Sequence, residues 1–319
     1  MTETLGGISV INELKGHEQT GKVIALFGEV LADIFPDQAI LGGAPFNVTR
    51  HLGAFSVHPV LVTRVGHDEL RDELMQEMNR LELDTSGVQT DSLYPTGQVK
   101  VILENGNHRY EILPDQAYDH IHSGLTHMVT LALKPELIYF GTLAQRGMES
   151  RLALDKFLSD GQSPRFLDIN LRKPWYNKHI IKRSLQRTDI LKMNEEELDV
   201  IAQYFKVKGE NRPQIARILA DEFEIKKVVV TCGAKGCWML NDDRQLLYSE
   251  PVEISEPLVD TVGAGDAFAA IFILGLISKW DMSLTISRAN QLASAVCTIR
   301  GAAPHSLEFY NRFRREWGL

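Results

Sequence analysis

The chain has 319 residues, of which 44% are hydrophobic and 24% are charged, so it can bury a large core. Its net charge is −8, and an acidic surface repels nucleic acid and anionic lipid, so neither is an expected partner. No stretch approaches the roughly 18 apolar residues of a membrane span, and the first twenty residues lack the apolar core of a signal peptide. We therefore expect a cytoplasmic protein with a loosely held extension at residues 1–22.

The sequence contains three cysteines, Cys232, Cys237 and Cys297. No CxxC motif or histidine pair accompanies them, which favours structural thiols over a metal or redox site. Their odd number is typical of a reducing compartment.

The first elements predict buried strands that alternate with helices. Val23–Phe27 and Val57–Val65 are apolar runs typical of strands inside a sheet. Pro45–Leu52 begins with a proline, which is tolerated at the start of a helix. His67–Leu81 repeats apolar residues at the spacing of one helical face.

A different pattern over residues 97–113 predicts a hairpin. Gly97–Leu103 and His108–Leu113 alternate polar and apolar residues on either side of Asn105-Gly106. Such alternation is typical of a half-exposed sheet, so we expect a small β lid beside the main core, with strands from about 29–41 and 94–114.

Strands and helices alternate through the rest of the chain, which predicts a mainly parallel sheet between two layers of helices. The expected strands are Leu137–Phe140, Arg165–Ile169, Ile190–Lys192, Lys227–Thr231, Cys237–Leu240 and Gln245–Tyr248. The expected helices are Glu149–Leu158, Pro174–Arg187, Glu195–Phe205, Pro213–Phe223, Ala267–Lys279 and Leu284–Arg300. With no repeat or linker in the sequence, residues 23–319 are predicted to form a single α/β domain.

The segment most informative about function is DTVGAGDAF at residues 260–268. Small residues, Gly263, Ala264 and Gly265, lead directly into an all-apolar helix that we expect to begin near Asp266. Backbone N–H groups at a helix N-terminus lack partners, and the helix dipole adds positive charge, so this loop is suited to a phosphate. The same dipole favours the ionised form of Asp266.

Asp266 has two interpretations when taken alone. A carboxylate beside an anion site can accept a proton from a hydroxyl that attacks phosphorus. Aspartate is also a common N-cap, and by itself Gly-Ala-Gly-Asp favours that structural role.

Two separated motifs resemble the signatures of the ribokinase-like (PfkB) family of carbohydrate kinases. DTVGAGDAF is one, and Gly42-Gly43-Ala44-Pro45-Phe46-Asn47 is the other. The order of elements also matches from about Val23 onward. The resemblance implies a three-layer α/β/α fold with a β lid, and an enzyme that uses ATP, Mg²⁺ and in many members K⁺.

The resemblance assigns catalysis and sugar binding to particular residues. Asp266 matches the catalytic base, and the amides of Gly263, Ala264 and Gly265 match the anion hole. The residues implied at the sugar are Asp33, Gly42, Gly43, Asn47, Asn170 and Arg172, with Gln98, Lys100 and Arg109 of the hairpin as further contacts. Without the family, Asp33 and Asn47 would be interpreted as ordinary turn and surface polarity.

The nucleotide side is implied in the same way. The matching residues are Asn194, Thr231, Gly233, Gly236 and Asn290, although a helix-surface asparagine such as Asn290 is more often only solvated. Glu197, in an Asn-x-x-Glu motif, would hold Mg²⁺ through water; the alternative is an acidic first helical turn. Asp260 and the Val262 carbonyl resemble part of a monovalent-cation site.

Several details resemble the fructokinase branch of the family. They are the Gly-Glu-x-Leu-x-Asp start at residues 28–33, the GGAPFN form, and the DINLR segment at residues 168–172 followed by Trp175. Arg172 is equally suited to clamp a carboxylate or a phosphate, so 2-keto-3-deoxygluconate stays open beside fructose, as do ribose and nucleosides. His67 and Arg71 stand where relatives usually carry Asp and Gly, which weakens placement in a known branch.

Other classes are less consistent with the sequence. A Walker loop is absent, and no GxGxxG follows the first strand, which argues against P-loop kinases and nicotinamide-dependent Rossmann enzymes. A sugar- or nucleotide-binding regulator without catalysis remains an alternative, but it would not need both Asp266 and the glycine loop. A half-exposed lid also suggests a homodimer through that sheet.

Overall fold

Nine strands form a central sheet in the protein, seen in a computed structural model that describes residues 21–104, 107–159, 162–253 and 256–319. The strands of this sheet are β1 (Val23–Phe27), β4 (His58–Gly66), β5 (Val88–Asp91), β8 (Leu137–Phe140), β9 (Arg165–Asp168), β10 (Ile190–Asn194), β11 (Lys227–Thr231), β12 (Cys237–Leu240) and β13 (Leu246–Ser249). Their order is β13-β12-β11-β10-β9-β8-β1-β4-β5. The seven neighbouring strands β5, β4, β1, β8, β9, β10 and β11 pair in parallel, whereas β12 and β13 pair antiparallel. The carboxyl ends of the parallel strands therefore share one edge of the sheet.

Helices cover both faces of this sheet. They are α1 (Ala44–Gly53), α2 (Glu69–Arg80), α3 (Ser123–Leu133), α4 (Met148–Ser159), α5 (Lys178–Leu185), α6 (Glu195–Phe205), α7 (Arg212–Glu222), α8 (Ala264–Ile277), α9 (Met282–Val296) and α10 (Asn311–Trp317). One core joins β1 to α1, α2, α8, α9 and α10, and a second core joins the other face to α3 through α7. Alternate residues of β1 belong to the two cores, as the two-residue period of a strand requires.

A second, smaller sheet contains four strands and lies apart from the central one. It consists of β2 (Leu31–Ile34), β3 (Ala39–Gly42), β6 (Gly97–Glu104) and β7 (Asn107–Ile112) in the order β3-β2-β6-β7. The pairs β2–β3 and β6–β7 are antiparallel, and a parallel pairing of β2 with β6 joins them. These strands lie in the segments from which the lid was expected, and the predicted three-layer class is confirmed.

Some boundaries differ from the prediction. The helix expected over Pro174–Arg187 begins only at Lys178, because the Asn177 side chain accepts a hydrogen bond from the Ile180 amide and caps it there. Helix α8 begins at Ala264, before the expected start near Asp266. The sequence patterns had not indicated α3, α10 or β5.

Parts of the predicted organisation lie outside the described residues. These are the N-terminal extension, apart from Gly21 and Lys22, and the Asn105-Gly106 turn of the hairpin. Among the residues that the structure describes, no helix is long and apolar enough to cross a bilayer.

Candidate active site

The site is built around the N-terminus of helix α8. Gly263 precedes the helix with φ at 80°, a left-handed conformation that favours glycine. No described side chain caps the first turn, and the residues from Gly263 to Asp266 stay partly exposed. The Ala264 amide makes one long bond of 3.4 Å to the Thr261 carbonyl. Because first-turn N–H groups have no acceptor inside the helix, the loop still offers hydrogen-bond donors toward solvent. This is the arrangement that the glycine motif predicts.

Asp266 lies in that first turn and contacts helix α1. Its Oδ2 accepts a hydrogen bond of 2.8 Å from Asn47 Nδ2. The residue is half-buried by surface area, but protein atoms surround its carboxylate, and this burial raises the pKa of Asp266 to about 6. The nearby Asp168 raises it further, whereas Lys192, Asn47 and Arg172 lower it. Burial therefore outweighs the helix dipole, which taken alone would favour the ionised carboxylate.

A buried ion pair that sequence reasoning did not assign to the site lies beside Asp266. Lys192 Nζ is 2.8 Å from Asp168 Oδ2, and Lys192, in the middle of β10, pairs in register with Asp168 at the end of β9. Burial opposes the charge of Lys192, but the Asp168 carboxylate leaves the pKa of Lys192 raised, so it stays cationic. A Cβ atom on Gly265 would lie 3.0 Å from Lys192 Nζ, which places this ammonium directly against the glycine loop.

Glu29 is a second residue that the sequence analysis did not assign. It follows β1, is only 4% exposed, and its Oε2 has no hydrogen-bond partner within the described part of the chain. Burial raises the pKa of Glu29 to about 7, Arg172 lowers it and Asp266 raises it. The Gly-Glu-x-Leu-x-Asp start contained the signal, because a carboxylate directly after an apolar strand lies at the ligand edge of the sheet.

The predicted sugar residues Asp33 and Arg172 lie near each other. Asp33 is half-buried on β2, where burial raises its pKa and the charge of Arg172 lowers it. Asn170 adopts a left-handed conformation with φ at 38°, just after β9. The exposed Arg172 thus acts electrostatically on three carboxylates, those of Glu29, Asp33 and Asp266.

The remaining predicted sugar residues lie on α1 and the lid. Gly43 caps α1 with φ at 106°, and a Cβ atom there would lie 2.6 Å from the Glu29 carbonyl oxygen. Gly42 is buried at the end of β3, and a Cβ atom there would lie 4.0 Å from Leu31 Cδ1. Gln98 is half-buried on β6, whereas Arg109 is exposed on β7. Lys100 is exposed on β6 and pairs in register with Ile34.

On the nucleotide side, Asn194 and Glu197 form a capping box at the start of α6. The Asn194 side chain accepts from the Glu197 amide and the Glu197 side chain accepts from the Asn194 amide, both at 2.8 Å. Glu197 Oε1 also accepts from the Leu171 amide. Burial and Asp168 raise the pKa of Glu197, and Lys192 lowers it.

Other nucleotide-side residues surround the turn after β11. Gly236 has φ at 84°, and a Cβ atom there would lie 2.2 Å from the Ser249 carbonyl oxygen, so the turn requires glycine. Gly233 is exposed with open space around it, and Thr231 ends β11. Asn290 is buried rather than solvated, and its Nδ2 donates to Ser249 Oγ and the Glu250 carbonyl at 3.2 Å.

Asp260 and Val262 lie in the loop before α8. Asp260 Oδ1 accepts from the Val262 amide at 3.0 Å, and Asp260 Oδ2 accepts from the Gly301 amide at 3.2 Å. Within the described residues, no group of three His, Cys, Asp or Glu side chains could hold a metal ion.

Two cavities of the structure lie away from this cluster. Their volumes are about 230 and 290 Å³, and both are lined by Glu256, Thr298 and Arg312 near helix α10. Neither is lined by Asp266 or by any other candidate site residue. The candidate residues instead gather around the first turn of α8, where Asn47 contacts Asp266 and Lys192 lies against Gly265.

The cluster has the parts that phosphoryl transfer requires. A carboxylate with a pKa near 6 is largely ionised at neutral pH and basic enough to accept a proton. Amides of the glycine loop and the Lys192 ammonium provide positive charge next to it.

Comparison with known proteins agrees with this chemistry. Residues 27–308 match the family model described as pfkB family carbohydrate kinase. A fructokinase of Rhizobium leguminosarum bv. trifolii is 29% identical over 287 residues, which cover 82% of each chain. A fructokinase of Escherichia coli is 26% identical over 304 residues, covering 87% of this chain and 94% of the relative.

Solved structures share the fold. An uncharacterized sugar kinase of Pyrococcus horikoshii superposes with a TM-score of 0.73 at 25% identity, over 88% of this chain and 93% of that chain. A Vibrio cholerae fructokinase bound to fructose, ADP and calcium gives 0.73 at 22% identity, over 88% and 94%. A Thermotoga maritima 2-dehydro-3-deoxygluconokinase gives 0.76 at 18% identity, over 92% and 99%.

Proposed function

The chain belongs to the pfkB family of carbohydrate kinases, phosphotransferases that act on sugar hydroxyls, and we propose that the acceptor of this member is D-fructose and the donor ATP. The observation that carries the choice of acceptor is the charge around Arg172. Its guanidinium acts on Glu29, Asp33 and Asp266, so this basic side chain already has carboxylate neighbours. A neutral polyol can hydrogen-bond to these carboxylates, whereas an anionic acceptor would be repelled by them.

In the proposed reaction, Asp266 accepts the proton of the attacking hydroxyl. Asn47 orients the Asp266 carboxylate through the hydrogen bond from its Nδ2. This leaves Asn47 Oδ1 as an acceptor for a sugar hydroxyl. The amides of Gly263, Ala264 and Gly265, with Lys192 behind them, stabilise the charge that develops on the transferred group. The further sugar contacts are Asp33, Gly42, Gly43, Gln98, Arg109, Asn170 and Arg172.

For the nucleotide, we assign the contacts to Asn194, Thr231, Gly233, Gly236 and Asn290. Each oxygen of Glu197 accepts one backbone amide and keeps a lone pair, so this carboxylate fits a Mg²⁺ ion reached through water. Mg²⁺ would neutralise phosphate charge. Asp260 and the Val262 carbonyl fit one side of a K⁺ site, because each Asp260 oxygen likewise accepts one backbone amide and keeps a lone pair.

A keto-acid sugar is the second candidate acceptor. The exposed guanidinium of Arg172 can also form a bidentate contact with a carboxylate, and the Thermotoga neighbour shares the fold. A homodimer through the sheet of β2, β3, β6 and β7 accompanies the proposal, because Tyr110 is 52% exposed on β7.

The test is a coupled assay of ADP release with fructose, ribose, 2-keto-3-deoxygluconate, glucose and adenosine. We expect the highest kcat/KM for fructose, and almost none for any sugar in Asp266→Asn. Arg172→Gln would separate the two candidates, because it removes most activity toward a keto acid and less of that toward fructose. If no acceptor stimulates ADP release by the wild type, the non-catalytic regulator becomes the better interpretation.

A further inference from the structure

Helix α1 contacts the glycine loop at two points that lie one helical turn apart. Asn47 bonds directly to Asp266, as described above. His51, four residues later on the same helix, reaches the segment that packs behind Gly263. Residues four apart lie on one face of a helix, so a single rigid element contacts both the base and the support of the anion hole.

His51 is fully buried and both of its ring nitrogens have partners. Nε2 is 3.1 Å from the Ala302 carbonyl oxygen, and Nδ1 is 2.8 Å from the Tyr310 hydroxyl. A carbonyl can only accept, so Nε2 carries the proton and the Tyr310 hydroxyl donates to Nδ1. Burial lowers the pKa of His51 to about 3, and the neighbouring Arg50 lowers it further, which keeps this neutral form at physiological pH.

Ala302 is in direct contact with the glycine loop. A Cβ atom on Gly263 would lie 2.3 Å from the Ala302 carbonyl oxygen and 2.4 Å from its Cα. The residue before it, Gly301, donates its amide to Asp260, which also accepts from the Val262 amide. A displacement of Ala302 would therefore be transmitted to the loop that carries Gly263.

We infer that His51, held by Tyr310, is a positioning residue that fixes the anion hole relative to Asp266 through the Ala302 carbonyl. His51 is fully buried and both ring nitrogens are bonded within the protein, so we expect it to act through the geometry of the loop and not through contact with a substrate. The inference rests on the proposed kinase reaction, because it assigns a role to that loop during transfer.

Two substitutions separate the two ring nitrogens. His51→Asn keeps an amide near the position of Nδ1 and loses the donor to Ala302, whereas His51→Gln keeps an amide donor near the position of Nε2. Tyr310→Phe removes only the hydroxyl that holds the ring. Thr49→Val is the matched control, since Thr49 is equally buried on α1 and, within the described residues, its hydroxyl bonds only to the Pro45 carbonyl of the same helix.

Steady-state kinetics are measured for each variant with the best acceptor of the panel. We expect His51→Asn to lower kcat about tenfold with KM for the acceptor almost unchanged, because a displaced donor weakens only transition-state stabilisation. His51→Gln should recover most of this loss, Tyr310→Phe should lie between them, and Thr49→Val should match the wild type. Equal losses in His51→Asn and His51→Gln, or a loss confined to KM, would overturn the inference.

Hydrogen exchange at the bonded amides of Val262, Ala267 and Gly301, which hold the glycine loop in place, gives a readout that needs no substrate. We expect faster exchange in His51→Asn than in Thr49→Val, measured where both are fully folded by circular dichroism. Unchanged exchange would overturn the positioning role even in an active kinase. An inactive wild type with faster exchange in His51→Asn would instead overturn the proposed reaction and leave the contact network supported.

Discussion

Replacing Asp266 by asparagine tests whether burial controls the proposed base. The carboxylate has a raised pKa because burial and Asp168 disfavour its ionised form in the folded protein. The protonated carboxyl group therefore favours the folded state. Its stabilising contribution is complete below the unfolded pKa of 3.8 and is lost as the pH rises through the folded pKa of about 6. Asparagine has the same shape and no charge, so Asp266→Asn should be more stable than the wild type at neutral and alkaline pH.

The expected size follows from the shift itself. A change from 3.8 to about 6 corresponds to about 3 kcal/mol at pH 8 and to less than about 1 kcal/mol at pH 4. For a chain of about 300 residues, unfolding entropy near 2.1 cal/mol/K per residue converts 3 kcal/mol to about 5 °C in Tm.

Thermal unfolding of both proteins from pH 4 to pH 8 measures this difference. The Tm gap between Asp266→Asn and the wild type should widen with pH, while turnover in the variant is almost abolished. Parallel Tm curves, with no widening between pH 4 and pH 8, would refute the electrostatic account. A variant with normal kcat would refute the assignment of the base.

Two further substitutions probe the groups around this carboxylate. Lys192→Met leaves the buried Asp168 carboxylate without its partner, so urea titrations at pH 7 should show a free energy of unfolding lower by about 3–5 kcal/mol. A loss below about 1 kcal/mol would contradict the buried ion pair. Asn47→Ala removes a hydrogen bond that lowers the pKa of Asp266, so the acidic limb of the kcat–pH profile should move to higher pH. An unchanged limb would show that this bond does not control the pKa of the base.

Strand bounds were predicted most accurately where the sequence has a continuous apolar run. The predicted bounds of β1, β8 and β11 coincide with the observed ones, because a strand buried on both faces needs apolar side chains throughout. Helix α3 was missed because it is mostly apolar or uncharged and therefore shows no clear helical period.

The site could be predicted only where its signal is local. Asp266 and its glycine loop are contiguous in the sequence, so a short motif indicated them. The pairing of Lys192 with Asp168 depends on the register between two strands that are 24 residues apart, which no local pattern encodes. The raised pKa of Asp266 follows from the same packing, so the local dipole argument, which favours the ionised carboxylate, did not predict its direction.

The place of β1 in the sheet has a consequence for how the chain can fold during synthesis. This strand is made first, yet it lies between β8 and β4, and one of its faces packs in the same core as α8. A nascent chain that stops before residue 264 therefore leaves apolar side chains of the sheet open to solvent. Ribosome-bound intermediates of this length should bind chaperones, and shortening the gene before α8 should yield aggregates rather than a smaller stable protein.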